Sequence, residues 1–551
     1  MRPTLTPLRR HMVALALAPL IAACSASPSG SNASPDAGLW PRLDGLPDAP
    51  VREARAMPPG TLKDIKPVGG KITFSLPTDG YDERYALLLL PNGTDPAGQL
   101  GHSEIEIKAG QDPTRSHAPR SRLDPRLGGA GGLPAAPPRP SPPPMPSPDP
   151  PEVGDKQTFK ITNASKNGFW TIKAEVLHVD DTAVWWFNGD SQHPSPWSAG
   201  LTPELLDQLS QGLHQVLMPR LRRYFGHEPD VDQDGRVAVL FTPAIRWDEA
   251  GRADPCDVLP NPDARPGCGH GNRTDLVALP LPATRAGFKG EATALLGAVA
   301  HELVRLIHFH RRVVVNGMGP KTDPNPFLVE GLGLLAQDLT GYQQMGLFKV
   351  AAAMRWGDFL SIYKILDPSR PVPIPGSNDD DPLSGSAYLM LRYLFERSGG
   401  DKLDKKGMPS PDAGGVKWLG GVMASQEVAA KAILAGMALD ETELAHSLWT
   451  AMVVTNYRDA AGKPLVSDPR YSYARVVADP LTGRPRGCLI REPWGMTYID
   501  GPKTDWLPFD GLVQNGGFKV VYFRGSDAWP WIDVSLDVDT SEMLARLVRL
   551  E

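Results

Sequence analysis

The sequence predicts an α+β protein: a β-rich N-terminal domain, a mostly helical middle domain and a small C-terminal β-domain. Three observations carry that expectation. Apolar residues alternate at Lys71–Phe74 and Thr158–Ile161 and run together at Tyr85–Leu90 and Ala183–Phe187, as strands do. Between Thr202 and Tyr457 they recur at helical spacing, and from Val466 onward the strand pattern returns at Lys519–Phe523 and Trp531–Val538. With 551 residues the chain has room for one large or two to three ordinary domains.

Residues 1–23 read as a targeting segment. Arg2, Arg9 and Arg10 precede the apolar stretch Met12–Ala23, which is shorter than the roughly 20 residues of a membrane-spanning helix. Cys24 follows Ile21-Ala22-Ala23, an arrangement similar to a bacterial lipobox, in which that Cys is lipidated and becomes the first mature residue. Ser25 resembles the sorting default for the outer membrane. No other stretch reads as a bilayer span, so the expected protein is exported and held to the cell envelope, at the outer membrane, by a lipid on Cys24. Residues 24–60 read as a flexible Ser/Pro/Gly/Ala tether.

The β-rich N-terminal domain is placed at residues 61–200, with a disordered Pro-rich insertion at 101–153. Residues 134–151 hold 11 Pro in 18 positions and read as an extended spacer. On the strand at Ala183–Phe187, one of Trp185 and Trp186 is expected to be buried and the other exposed, where a carbohydrate platform is the alternative use.

Residues 201–460 form the helical domain. Thr202 is an N-cap with Pro203 at the first helical position. Asp230-Val-Asp232-Gln-Asp234-Gly235 has the front half of a calcium loop, but Phe241 stands where such a loop needs its bidentate Glu. The segment therefore reads as a turn into a strand, with Ca2+ held by Asp230, Asp232 and Asp234 as the alternative. Further helices are expected at Glu291–Arg312, Phe327–Tyr342, Leu347–Tyr363, Ser386–Arg397, Gln426–Gly436 and Glu441–Tyr457, with a polar loop at Asp401–Gly415. Residues 461–551 form the C-terminal β-domain, with a short final helix at Glu542–Val548.

Cys256 and Cys268 flank a Pro/Asp/Gly-rich loop and are expected to form a local disulfide in an oxidising envelope compartment; a metal site with His270 is the alternative. Cys488 is left over and expected to be buried. The net charge is -6 and no basic stripe stands out, which argues against nucleic acid as a partner.

The chemistry-bearing segment is His301-Glu302-Leu-Val-Arg305. A zinc-peptidase helix needs H-E-x-x-H, because two His four residues apart share a helix face and reach one ion while the Glu serves as base. Here the second His position is Arg305, a permanent cation that coordinates no metal. His308 lies seven residues from His301, about 10 Å along the axis, too far to share an ion with it. Downstream, Phe327-Leu-Val-Glu330-Gly opens a helix with an apolar face, its Glu 25 residues past Arg305.

Ala300-His-Glu-x-x-x-Leu-Ile-His-Phe309, Val-Glu330-Gly-Leu and Ala387-Tyr388-Leu-Met-Leu-Arg-Tyr393-Leu together resemble the hyicolysin family of secreted bacterial zinc metallopeptidases, of the gluzincin clan, over roughly residues 155–460. The resemblance implies a thermolysin-like catalytic fold and a Zn2+ cofactor. It implies His301 as first ligand, Glu302 as the base, Glu330 as third ligand and Tyr388 as a donor on the oxyanion side. The second ligand maps to Arg305, which departs from the pattern. Arg305 is expected to pair with Glu330, ahead of Glu302, as a counter-charge in place of the ion. Tyr393 reads as core, and His310-Arg311-Arg312 as a favourable helix C-terminus.

Three functions follow as expectations. The first is an envelope lipoprotein of this family with a lost or impaired zinc site, which meets a protein or peptide as substrate or ligand. The second is an active metalloendopeptidase with altered coordination. The third is a surface adhesin or glycan binder acting through its β-domains.

Overall fold

The computed structural model describes residues 57–77, 83–91, 103–110, 151–163, 168–246, 249–284, 291–317, 325–342, 353, 361–367, 381–427, 429–455, 457–473, 476–487, 516–524, 531–538 and 543–550. The targeting segment, Cys24, the tether up to residue 56, the run 134–150, Cys488 and most of the helix expected at Leu347–Tyr363 lie outside these residues.

The chain opens with strands Leu62–Ile65 (β1), Lys71–Pro77 (β2), Arg84–Pro91 (β3) and Ser103–Gly110 (β4). It ends with Lys519–Arg524 (β12), Trp531–Val538 (β13) and Met543–Arg549 (β14). These seven strands form one sandwich. One sheet has the order β1-β14-β3-β12 and the other β2-β13-β4. Ile72, Phe74, Leu87, Leu89, Val534 and Leu547 share the apolar layer between them. Ala86, Leu88 and Leu90 point the other way, into the main core. Strand β3 is therefore buried on both faces, which explains its unbroken apolar run.

Three expectations change here. The C-terminal strands do not stand as a separate domain, because β12 and β14 flank β3 and β13 lies between β2 and β4. Ser103–Gly110, expected within a disordered insertion, is a strand paired with β13 along its length. Met543–Arg549, expected to be helical, is the central strand β14, almost wholly buried. A short apolar run does not separate a buried strand from a helix until its partners are known.

The second sheet has the order β5-β6-β7-β8-β9, formed by Lys156–Asn163 (β5), Gly168–Val179 (β6), Ala183–Phe187 (β7), Val237–Phe241 (β8) and Leu276–Leu279 (β9). β5, β6 and β7 are antiparallel; β7, β8 and β9 are parallel. The strands expected in one N-terminal domain are thus divided: those before residue 110 join the terminal sandwich, and those after 155 join this sheet. β7 is its middle strand, so Trp185 and Trp186 are both buried, at 0% and 3% exposure, one on each face. A carbohydrate platform at this pair is excluded.

Helices fill the rest. Pro203–Gly212 (α1) is capped as expected, Leu205 N–H donating to Thr202 Oγ1 at 3.2 Å. Met218–Tyr224 (α2), Ala292–Phe309 (α3), Pro326–Thr340 (α4), Asp381–Arg397 (α5), Gly414–Ala424 (α6), Ala429–Leu434 (α7) and Glu441–Val454 (α8) follow, with a short helix at Ile362–Leu366 before α5. α6 has no counterpart among the expectations, because Gly414, Gly415, Gly420 and Gly421 carry a helix penalty of about 1 kcal/mol each. Gly415 is required by closeness: a Cβ there would lie 2.6 Å from the Gly400 carbonyl oxygen.

α3 is the centre of the main core. Its continuation to Val315 is long and apolar enough to cross a bilayer, contrary to the expectation that no internal stretch is, but that window is 78% buried inside the protein. It packs against α4, which packs in turn on α5. The hairpin Val477–Ala478 (β10) and Pro485–Arg486 (β11) closes the far side. There Arg220 and Asp479, both fully buried, pair at 2.8 Å, and Arg220 also donates to the carbonyl oxygens of Thr340 and Gly407.

A chain ending at residue 515 would lack β12, β13 and β14, leaving β3 with no neighbour in its sheet. Limited proteolysis of that truncation is expected to cut within residues 57–110 far faster than in the full chain; unchanged protection there would refute the shared sandwich.

Candidate active site

α3 and α4 bring the site together. On α3, His301, Glu302 and Arg305 lie within one and a quarter turns. α4 starts where Asn325 caps it, its Oδ1 accepting from the N–H groups of Phe327 and Leu328, with Pro326 in the first turn. That cap sets the position of Glu330 in the second turn.

Glycines on α4 permit the approach. A Cβ on Gly333 would fall 2.5 Å from the His301 ring, and one on Gly331 would fall 2.8 Å from the Ala387 Cβ of α5. The bare face of Gly333 is therefore where the imidazole lies. This is the physical content of the Glu330-Gly-Leu-Gly sequence. Sequence reading singled out the Glu and passed over Gly333.

His301 is 6% exposed and Glu302 2%. His301 Nε2 lies 3.3 Å from Glu330 Oε2. Arg305 Nη1 donates to Glu302 Oε2 at 3.0 Å and stands 3.6 Å from Glu330 Oε1. The expected order of partners is reversed: Glu302 is the nearer and Glu330 the second. Burial works against the guanidinium charge, but Glu302 and then Glu330 outweigh it and raise the Arg305 pKa above its ordinary value.

Glu302 has a second donor. The segment around Arg252 bridges to Ala278 at the edge of β9, with hydrogen bonds of 2.8 Å in both directions. The next residue, Ala253, donates its N–H to Glu302 Oε2 at 3.0 Å. Both donors use the same carboxylate oxygen. Nothing in the sequence around Ala253 signals this contact, because it is made by backbone.

The arrangement can be tested against the zinc that the resemblance implies. Two donors about 2.0–2.1 Å from a tetrahedral ion stand roughly 3.3 Å apart, so the His301–Glu330 spacing would suit one. It is equally the spacing of a direct imidazole–carboxylate contact. The full set does not fit, because the third side chain reaching the carboxylates is a cation. An ion placed there would meet a fixed positive charge 3.6 Å from its own carboxylate ligand, Glu330.

No described residue repairs the set. His308 is fully buried in the core, both ring nitrogens lack hydrogen-bond partners, and burial followed by the Arg312 charge lowers its pKa to about 3. His270 pairs with Asp254 at 2.8 Å. Asp254, Cys256 and His270 cluster closely enough for an ion, but Cys256 is bonded to Cys268 and offers no thiolate. His446 is on α8, where burial first and then Arg546 lower its pKa to about 4.

Tyr388 has a different place from the one expected. Its hydroxyl is fully buried and donates to Asp338 Oδ2 at 3.1 Å, beside Arg392 Nη1 at 2.8 Å on the same oxygen. It belongs to a core polar network joining α4 and α5, not to an oxyanion pocket. Tyr393 is buried, donating to the Arg470 carbonyl oxygen at 2.7 Å. Arg311 and Arg312 donate to the backbone carbonyl oxygens of Phe225 and Val422.

Asp230, Asp232 and Asp234 come together ahead of β8, in the loop after α2, apart from this pair of helices. No protein-family model matches the chain, and no curated protein matches it.

Two outcomes follow. Replacing Arg305 by Met leaves Glu302 and Glu330 without their cation and is expected to cost about 2 kcal/mol in urea unfolding at pH 8. A variant as stable as the parent would contradict the pairing. For His308 the folded pKa of about 3 lies below the usual 6.5, so the buried neutral ring contributes stability above pH 6.5 that is lost as pH falls toward 3. His308→Leu is expected to remove on the order of 2 kcal/mol of the stability difference between pH 7 and pH 5.

Proposed function

We propose that this chain is a degenerate metallopeptidase: an envelope lipoprotein anchored through Cys24, with a peptidase-like pair of helices and no functional catalytic zinc. One observation carries the reading. The Arg305 guanidinium lies 3.0 Å from Glu302 and 3.6 Å from Glu330, where the second metal ligand of the H-E-x-x-H pattern would stand.

The chemistry of those contacts supports it. A general base must be free to take a proton from water. The Glu302 oxygen Oε2 instead accepts from Arg305 and from the Ala253 amide. Both donors occupy the oxygen that would have to accept the proton from water. A +1 guanidinium with a planar fork replaces a +2 ion as the charge between the two helices. What such a cleft retains is the capacity to bind a protein or peptide without cutting it.

Metal content and hydrolysis of the purified mature protein test the reading together. The expected result is less than one tightly held zinc per chain and no casein-type hydrolysis. One firmly bound zinc, with hydrolysis abolished by Glu302→Gln, would overturn it. Arg305→His is expected to raise zinc affinity, since His301 and Glu330 already stand at a separation suited to one ion.

A further inference from the structure

Away from the helix pair, the loop between α2 and β8 carries carboxylates at alternate positions. Asp230, Asp232 and Asp234 each bring an oxygen within 4.8 Å of the others. Such clusters occur without ions. Asp275 adds a second and separate observation. It is fully buried, and neither of its carboxylate oxygens has a hydrogen-bond partner beyond its own backbone N–H. Asp232 Oδ1 is likewise buried and without a partner.

The sheet places Asp275 near the loop. β8 and β9 are parallel, with Ala238 opposite Leu276, so Asp275 stands beside the point where the loop enters β8. Its neighbour Thr274 hydrogen-bonds the Asp232 carboxylate. The charges acting on Asp275 are those of Asp232, then Asp234, then Glu228. Of the nearby cations, the Arg236 charge acts on Asp234, but its hydrogen bonds go to backbone. Arg236 donates to the carbonyl oxygens of Asp180 and Asp234, and Arg222 to Glu228.

A buried carboxylate with no partner is costly, and several converging on one point are more so. A hard divalent cation resolves the conflict. The donors are all oxygens, which excludes the nitrogen and sulfur sets that zinc prefers. A flexible loop with several carboxylates suits calcium, which takes 6–8 oxygens, over the rigid octahedron of magnesium. In a helix-loop-helix calcium site the last carboxylate comes from the twelfth loop position. Here that position is Phe241, buried in β8.

We propose that Asp230, Asp232, Asp234 and Asp275 bind one calcium ion, with Asp275 supplying from the adjacent strand the carboxylate that the loop itself lacks. The ion fastens the start of β8 to the start of β9. Three residues beyond Asp275, Ala278 holds the Arg252 bridge that places the Ala253 amide on Glu302. Calcium is therefore a structural ion for the sheet edge bordering the helix pair.

Calorimetric titration of the mature protein, stripped with EGTA, is the direct test. One calcium per chain is expected, with magnesium binding at least about tenfold more weakly. Saturating calcium is expected to raise the melting temperature by about 2–5 °C. Asp275→Asn is expected to abolish both responses, yet to melt no lower than the parent in EGTA, since it removes a buried charge. Absence of calcium binding by the parent protein overturns the proposal whether or not the variant folds. Retained binding in both Asp275→Asn and Asp232→Asn overturns it too, since the ion would then sit elsewhere.

Discussion

Glu302 and Glu330 come from different helices, and the charge that lets them face each other is the Arg305 guanidinium. Two carboxylates in a partly buried cleft repel and tend to take up protons unless a cation lies between them. Arg305 supplies that cation from within α3, three residues after one carboxylate. The contact between α3 and α4, at the middle of the main core, is thus compatible with ionised acids. Removing a partner from such a pair is more damaging than replacing the whole set by apolar residues, because the remaining charge is left uncompensated.

The same cleft shows how little room a helix contact leaves. Gly333 lies flat against His301 and Gly331 against Ala387, at distances that no Cβ tolerates. The helices meet through absent side chains, and the polar groups fit the space this leaves. Ala253, held by the bridge to β9, closes the third side with a backbone amide. Sheet edge and helix pair therefore share one hydrogen-bond set.

The two acidic groupings in this region differ in how their charge is met. Around Glu302 and Glu330 an internal guanidinium answers the carboxylates. Around Asp232 and Asp275 the nearby arginines donate to carbonyl oxygens or to Glu228 instead. An interior position tolerates like charges only with a counter-charge, and the fold provides one for the first grouping from its own side chains. The second grouping is where an external cation has a reason to bind.

Much was legible in the chain by itself. The helical spacing of Leu295, Leu296, Val299, Leu303 and Leu306 specified α3 as a core helix, and Thr202 with Pro203 specified the start of α1, because such patterns act within one or two turns. The mixed α+β class, with strands first and helices in the middle, followed from the same local periodicities. The departure at Arg305 from the H-E-x-x-H spacing was visible in five residues. Only the tertiary structure decided what those pieces meet. It placed β12–β14 among the N-terminal strands, made Met543–Arg549 a central strand, committed Tyr388 to Asp338 and brought Asp275 beside the Asp230–Asp234 loop. Each of these depends on a contact between residues far apart in sequence, and hydrophobic spacing records which face of an element is buried but not which element covers it.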